Sequence, residues 1–335
     1  MSNKSHFFRQ SINLPFIMTV QVTAPNQVIS LGHETTGTYS GTIDWGDGVS
    51  TQNNKANFQH TYLAIGIYDI KIYGTIYRWK QNNNSSILDI SQWGSNFSFG
   101  DSSSAFQQMT NLNITATDTP DTSEMTNMYR MFYKSSNVVG NAGFDTWDTS
   151  SATEMGGMFA QATNFNGVIS NWNTSLVASF RGMFQSSTTF NHPLNNWDTS
   201  SVTDMAFMFD RAFSFNQPLN NWDTSNVTTM TYMFRSIFGI VPFNQDISSW
   251  DFSGLNSSTS LVQFMKGKSQ ANYDSAYYDN LLIKWASDPS LGGLQPNIIG
   301  TIDMGTIKYT ANGASARASI LANNKAVTIN DGGQI

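Results

Sequence analysis

Five side chains with oxygen ligands recur at one place in the sequence. Asp148, Asn173, Asp198, Asp223 and Asp251 each follow a tryptophan, and those tryptophans (Trp147, Trp172, Trp197, Trp222 and Trp250) stand 25, 25, 25 and 28 residues apart. Stacked one per repeat, the five would form a ladder with rungs about 4.8 Å apart. Three chemistries suit such a ladder. Asp148, Asp198, Asp223 and Asp251 are candidate ligands for a calcium ion, which takes oxygen donors. All five are candidates for a binding face that hydrogen-bonds a glycan. Two neighbouring carboxyls also approach the separation of about 5–5.5 Å used by retaining glycosidases. That last reading fails on its own physics, because acid and nucleophile need different environments and a repeated rung gives every Asp the same one. A local role competes with all three: Asp before Thr-Ser commonly bonds backbone amides at a turn.

Nothing else in the chain points to catalysis, and no catalytic residue is assigned. Cysteine is absent, which excludes thiolate nucleophiles, thiolate metal sites and disulfides. His6, His33, His60 and His192 are scattered, and no phosphate-binding glycine loop or nucleophile elbow occurs. Asp44 and Asp47, around Trp45-Gly46, read as a glycine-rich turn before they read as metal ligands.

The elements that must carry the ladder follow from its period. A fixed repeat of this length means one small unit stacked on copies of itself. Counted from each tryptophan, Ala152, Val177, Val202 and Val227 stand at +5, and Met155, Phe180, Met205 and Met230 at +8. Met158, Met183, Met208 and Met233 follow at +11, and Phe159, Phe184, Phe209 and Phe234 at +12. Steps of 3, 3 and 1 predict one face of a short helix. Ser151 with Glu154, and Ser201 with Asp204, resemble capping boxes at its start. Leu194 and Leu219, three residues before their tryptophans, predict a short strand, Leu-x-x-Trp-x-Thr. The tryptophans and the Met158, Met183, Met208 and Met233 stripe are therefore read as structural core. The fourth repeat carries three extra residues near Phe238–Val241.

The ends differ from the middle. Residues 1–14 read as a polar arm with a Phe7–Phe8 pair, and 15–79 as a β-sandwich with strands Phe16–Val22, Gln27–Gly32, Ser40–Trp45, Ala56–Tyr62, Gly66–Tyr73 and Thr75–Trp79. Residues 80–265 hold the repeats, with Ile87–Trp93 and Leu112–Ala116 as divergent early copies. Residues 266–335 read as a C-terminal cap, with a helix over Tyr273–Ala286, a strand Thr301–Met304, a helix Ala314–Leu321 and a strand Ala326–Ile329.

Two resemblances follow. Asp44-Trp45-Gly46-Asp47-Gly48, then His60-Thr61-Tyr62 and Gly66-Ile67-Tyr68, resembles the PKD family of immunoglobulin-like domains. FNQPLNNWDTSNVTTMTYMF is similar to the repeats of BspA-type leucine-rich repeat surface proteins, over roughly 85–265. Together they imply a β-rich fold with short helices: an N-terminal immunoglobulin-like sandwich, a leucine-rich-repeat solenoid of about 25-residue units and a mixed α/β cap. They imply a spacer and an adhesive surface, with no chemistry attached.

Composition bears on partners. Charged residues make up 12% of the chain, the net charge is −6 and the pI about 5.1. No basic run exists, so nucleic acid is not an expected partner. No apolar stretch approaches a membrane span, and membrane insertion is not expected. The N-terminus reads without a clean export signal: the apolar run Ile12–Val20 is interrupted by Asn13, Pro15 and Thr19, and Phe16–Val22 alternates as a strand. These features lead to a noncatalytic recognition protein on a virion surface, a fibre or capsid decoration that meets a cell-surface protein or polysaccharide and holds other virion proteins through residues 1–14. An exported bacterial adhesin and a purely structural virion protein are the alternatives.

Overall fold

The structure is a computed structural model that describes residues 13–236, 242–255, 257, 259–287, 300–324 and 326–335. The expected arm, apart from residues 13 and 14, and the extra residues of the fourth repeat lie outside the described residues.

The N-terminal strands are β1 (Phe16–Val22), β2 (Gln27–Ser30), β3 (His33–Tyr39), β4 (Thr42–Asp44), β5 (Ser50–Gln52), β6 (Gln59–Tyr62), β7 (Gly66–Tyr73) and β8 (Ile76–Trp79). Then come β9 (Ile87–Gln92), β10 (Phe97–Ser98) and β11 (Asn113–Ile114). Alternation makes β1: Phe16, Met18, Val20 and Val22 are all buried while their neighbours face outward. It lies inside a six-stranded sheet of order β11-β9-β1-β7-β4-β5. The β1–β7 pair is antiparallel from Phe16 opposite Ile72 to Val22 opposite Gly66. Strands β10-β8-β3 form a second sheet and β2-β6 a third. Ile87 and Ile90, read from the sequence as a divergent repeat, belong to β9 and pair with β1, and β11 extends the same sheet in parallel.

From about residue 100 to 270 regular elements almost disappear. The only regular helix of this region among the described residues is one 3-10 turn, Ala142–Thr146. Among the described residues no short helix follows any of the tryptophans, and Leu-x-x-Trp-x-Thr forms no strand. The backbone alternates instead between right- and left-handed residues. Arg130, Lys134, Gly157, Gln161, Gly182, Ser186, Phe207 and Arg211 all have φ between 52° and 62°. Each left-handed residue closes a turn, as where Met158 donates to the Met155 carbonyl and Ala160 to that of Gly157 (3.2 and 3.0 Å). The intervening N–H groups leave the repeat. Those of Met128, Arg130, Phe132 and Lys134 donate to the carbonyls of Glu154, Gly156, Met158 and Ala160, at 2.8, 3.0, 2.8 and 2.9 Å. Those of Met155, Gly157, Phe159 and Gln161 do the same to Ser179, Arg181, Met183 and Gln185, at 3.2, 2.8, 3.0 and 2.7 Å. Pairing is otherwise reduced to single bridges, Asn127 to Glu154 to Ser179 to Asp204 to Thr229.

This corrects the expected fold class. The chain is β-rich, with several small separate sheets and only two α-helices among the described residues, α1 (Ser275–Ser287) and α2 (Ala311–Asn323). A leucine-rich-repeat solenoid built from a strand and a short helix is not what forms, and the N-terminal strands divide among three sheets and not into the two facing sheets of a sandwich. The reason is in the spacing itself. A step of three is the period of successive i→i+3 turns as well as of a helix face. A segment of eight residues cannot sustain a helix alone, and a neighbouring repeat offers its backbone partners directly. The capping-box reading fails with the helix: Glu154 and Asp204 bend forward and accept from Gly156 and Ala206 (2.5 and 2.8 Å), not back toward a serine.

Burial explains the apolar positions. Met158, Met183, Met208 and Met233 are 0% exposed and the five tryptophans at most 4%. Phe132, Phe159, Phe184, Phe209 and Phe234 stack face to face at 5.5–5.9 Å, each pair within 7° of parallel. Trp172 and Trp197 stack at 6.4 Å and 3°. The tryptophan adds what leucine lacks. The indole N–H of Trp172, Trp197, Trp222 and Trp250 donates to the carbonyl of Phe144, Ile169, Leu194 and Leu219 in the preceding repeat, at 2.7–3.0 Å. At the C-terminal end, α1 and α2 pack together beside a parallel pair, β12 (Gly300–Asp303) and β13 (Val327–Asn330). The Met265 N–H donates to the Asp303 carbonyl, so β12 takes up a donor of the last repeat.

Candidate functional site

The Asp-Thr-Ser edge is built entirely from local bonds. Asp148 Oδ1 accepts from the Ser150 N–H and hydroxyl at 3.0 and 2.6 Å. Asn173 does the same with Ser175, Asp198 with Ser200 and Asp223 with Ser225. Asp251 accepts from the Ser253 N–H at 2.8 Å. The threonine between them points inward and onward: Thr149, Thr174, Thr199 and Thr224 are buried and donate to the carbonyls of Asn173, Asp198, Asp223 and Asp251 at 2.7–2.9 Å. The serine hydroxyl and N–H hold the carboxyls of Asp148, Asp198 and Asp223 below the usual carboxylate range. Proximity of Asp223 to Asp198 opposes this only weakly.

The ladder therefore exists as a row, exposed from Asp148 to Asp223 and half-buried at Asp251. It does not converge. Among the described residues no group of three or more His, Asp or Glu side chains is placed to hold a metal ion. Asp121, which sequence reading left out because Pro120 stands in place of a tryptophan, carries the same bonds to Ser123.

The glycine-rich turn near the N-terminus is likewise self-contained. Asp44 accepts from the Gly46 N–H and Asp47 from that of Val49, at 3.0 and 3.1 Å. His60 bonds Asp47 at 2.7 Å and stacks on Trp45, while the Tyr62 hydroxyl donates to the Trp45 carbonyl at 2.7 Å. Trp45, Asp47, His60 and Tyr62, four of the residues that carry the PKD resemblance, thus form one cluster.

A second edge, which sequence reading missed, lies over the left-handed turns. A cavity of about 250 Å³ is lined by Tyr129, Arg130, Tyr133, Gly157, Ala160, Arg181, Gly182, Gln185 and Phe207. These are the positions between and just after the buried methionine and phenylalanine of successive repeats. The position at +10 carries a side chain in Arg130, Phe207 and Tyr232 but is glycine at 157 and 182, and a Cβ on Gly182 would meet nothing closer than 3.7 Å. At Gly157 a Cβ would stand 3.1 Å from Arg130 Cγ, so the edge is open over Gly182 and covered by the Arg130 side chain over Gly157. Aromatic rings hold the flanking guanidinium groups: Arg130 lies over Tyr129 and Tyr133 at 5.0 and 4.9 Å, and Arg181 over Phe207 at 4.9 Å. Beyond Phe207 the cation is already matched. Arg235 makes a two-point ion pair with buried Asp210 at 3.0 and 2.9 Å. Burial at the invariant apolar positions drew the sequence reading; the signal for this edge was the variable pair between them.

A family model described as Mycoplasma protein of unknown function, DUF285, matches residues 100–199 and 169–275, together just over half of the 335 residues. No curated protein and no solved structure matches the chain.

Proposed function

On the premise that the chain belongs to the DUF285 family, we propose that it is a noncatalytic recognition protein displayed on a surface, with its stacked repeats as the contact face. The observation that carries this reading is the sameness of the exposed carboxylates. Each of Asp148, Asp198 and Asp223 is held by its own serine in the same bond pattern, so no two acquire the divergent environments that acid–base chemistry needs. What differs from repeat to repeat is the outward side chains over the left-handed turns, and variation on a constant frame is how stacked repeats vary their binding surfaces. The described residues contain no helix long and apolar enough to cross a membrane. The family description names a bacterium, and this favours a bacterial cell-surface adhesin over a virion component. The PKD-like segment serves in either case as a spacer.

Binding of the purified, labelled protein to a glycan array and to intact cells tests the reading. Saturable binding to a polysaccharide or to cells is the expected outcome. Absence of binding to both, or turnover of a glycan on the array, overturns it.

A further inference from the structure

We propose that the notch at Gly157 and Gly182 is a binding site for an acidic sugar whose planar carboxylate is taken by Arg130 and Arg181. The inference rests on the recognition reading and names its ligand class. The charge argument comes first. In a chain with net charge −6, the cavity lining holds two arginines and no carboxylate. Three acids stand just behind the lining: buried Asp210 is held by Gln185 and Arg235, Glu154 accepts from the Gly156 N–H, and Asp204 meets Arg181 only at 3.5 Å, where the Arg181 side chain is 54% exposed. Such an exposed contact is weak and exchangeable. Arg130 forms no ion pair with any described residue. An anion that enters therefore meets guanidinium groups that need not surrender a buried partner, unlike Arg235, which Asp210 holds.

Shape comes second. The glycines give two repeats no side chain of their own on the turn edge: Arg130 leans over Gly157 and the space over Gly182 stays open, within a span of roughly 14 Å from Arg130 to Phe207 at a strand-like spacing of three steps. The volume of about 250 Å³ falls below the roughly 300–1,000 Å³ that encloses a drug-sized ligand. It suits one charged unit of a longer chain, with the rest lying on the repeats to either side. Ring stacking comes third. Arg130 lies against Tyr129 and Tyr133 and Arg181 against Phe207, so the lining joins two cationic groups to aromatic carbon, a combination that matches a sugar ring with hydrophobic C–H faces and one charged edge. Arginine offers a fixed fork that takes a carboxylate in two-point geometry, and because a sulfate ester can meet the same fork, the sulfated sugar is the control that separates the two.

The test is titration calorimetry with the full chain and four ligands: trigalacturonate, its carboxyl-reduced counterpart, 3′-sialyllactose and lactose, with 3′-sulfolactose as the source control. At least one carboxylate form should bind tenfold or more tighter than its neutral counterpart, and the affinity should fall as salt rises. The double variant Arg130→Gln/Arg181→Gln should lose at least tenfold while its melting temperature stays unchanged. Gly182→Asn keeps a left-handed turn accessible and should weaken binding by filling the notch. Equal binding of neutral sugars, preference for sulfolactose, or full affinity in the double variant overturns the inference. If no acidic sugar binds while cells or neutral glycans do, the inference falls and the recognition reading stands. If nothing binds at all, both fall.

Discussion

Replacing Trp197 by phenylalanine separates the two roles given to the repeat tryptophan. The side chain is 2% exposed, and its indole N–H donates to the Ile169 carbonyl at 3.0 Å. That carbonyl also receives the Trp172 N–H at 3.4 Å, so it is not stranded when the indole goes. The lost hydrogen bond then costs about 1 kcal/mol. Truncating the bicyclic ring in a packed stack removes a further ~2 kcal/mol through lost burial and residual cavity. Trp147 is the internal control: it is 4% exposed and stacks on Trp172, yet its indole N–H has no acceptor among the described residues. Trp147→Phe should cost about 2 kcal/mol, against about 3 kcal/mol for Trp197→Phe. Urea denaturation followed by far-ultraviolet circular dichroism reads both without relying on the deleted fluorophore, and an unchanged slope with denaturant licenses the comparison. Equal losses at the two sites, or a neutral Trp197→Phe, would refute the claim that the indole N–H joins one repeat to the next.

Other expectations follow from the same contacts. Thr199→Val keeps the shape of a buried side chain but deletes its bond to the Asp223 carbonyl, and should cost about 1–2 kcal/mol in the same titration. Asp210→Ala strips a fully buried carboxylate from Arg235 and should cost about 3–5 kcal/mol, whereas Asp210→Ala with Arg235→Met should recover part of it. Burial holds the His33 imidazole down to about 4. Its contribution is complete above the unfolded value near 6.5 and fades as pH falls through 4, a loss of roughly 3 kcal/mol that His33→Phe should abolish when stability is measured from pH 7 to pH 4. Because each ladder carboxylate is already bonded to its serine, the melting temperature should be the same in millimolar calcium and in chelator; a rise with calcium would reinstate the ladder as a metal site.

Where side chains impose one geometry, the sequence was readable. Phe16–Val22 alternates because β1 lies between β7 and β9, and its bounds and those of Gly66–Tyr73 match the strands observed. His33–Tyr39 and Ser50–Gln52 escaped notice because polar, half-exposed strands show no apolar period. The methionine spacing identified what is buried but not the backbone that buries it, since turns and helix share a step of three. Whether a turn or a helix forms depends on carbonyls supplied by the next repeat, and a local pattern cannot report them. The notch was hidden for the opposite reason. Gly157 and Gly182 look like weak points in a repeat, and only their adjacency in space, beside Arg130 and Phe207, makes them a site.

The forward-pointing amides have an evolutionary corollary. Each repeat presents its predecessor with the same four acceptors in the same order, from Glu154–Ala160 to Ser179–Gln185. Recombination between two copies can therefore lengthen or shorten the molecule by whole units, with seams chemically equivalent to the original joins. Adhesive specificity can then be edited like beads on a string: duplicating the paired-glycine unit would create a second notch, and excising it would erase the first, with no new core to invent.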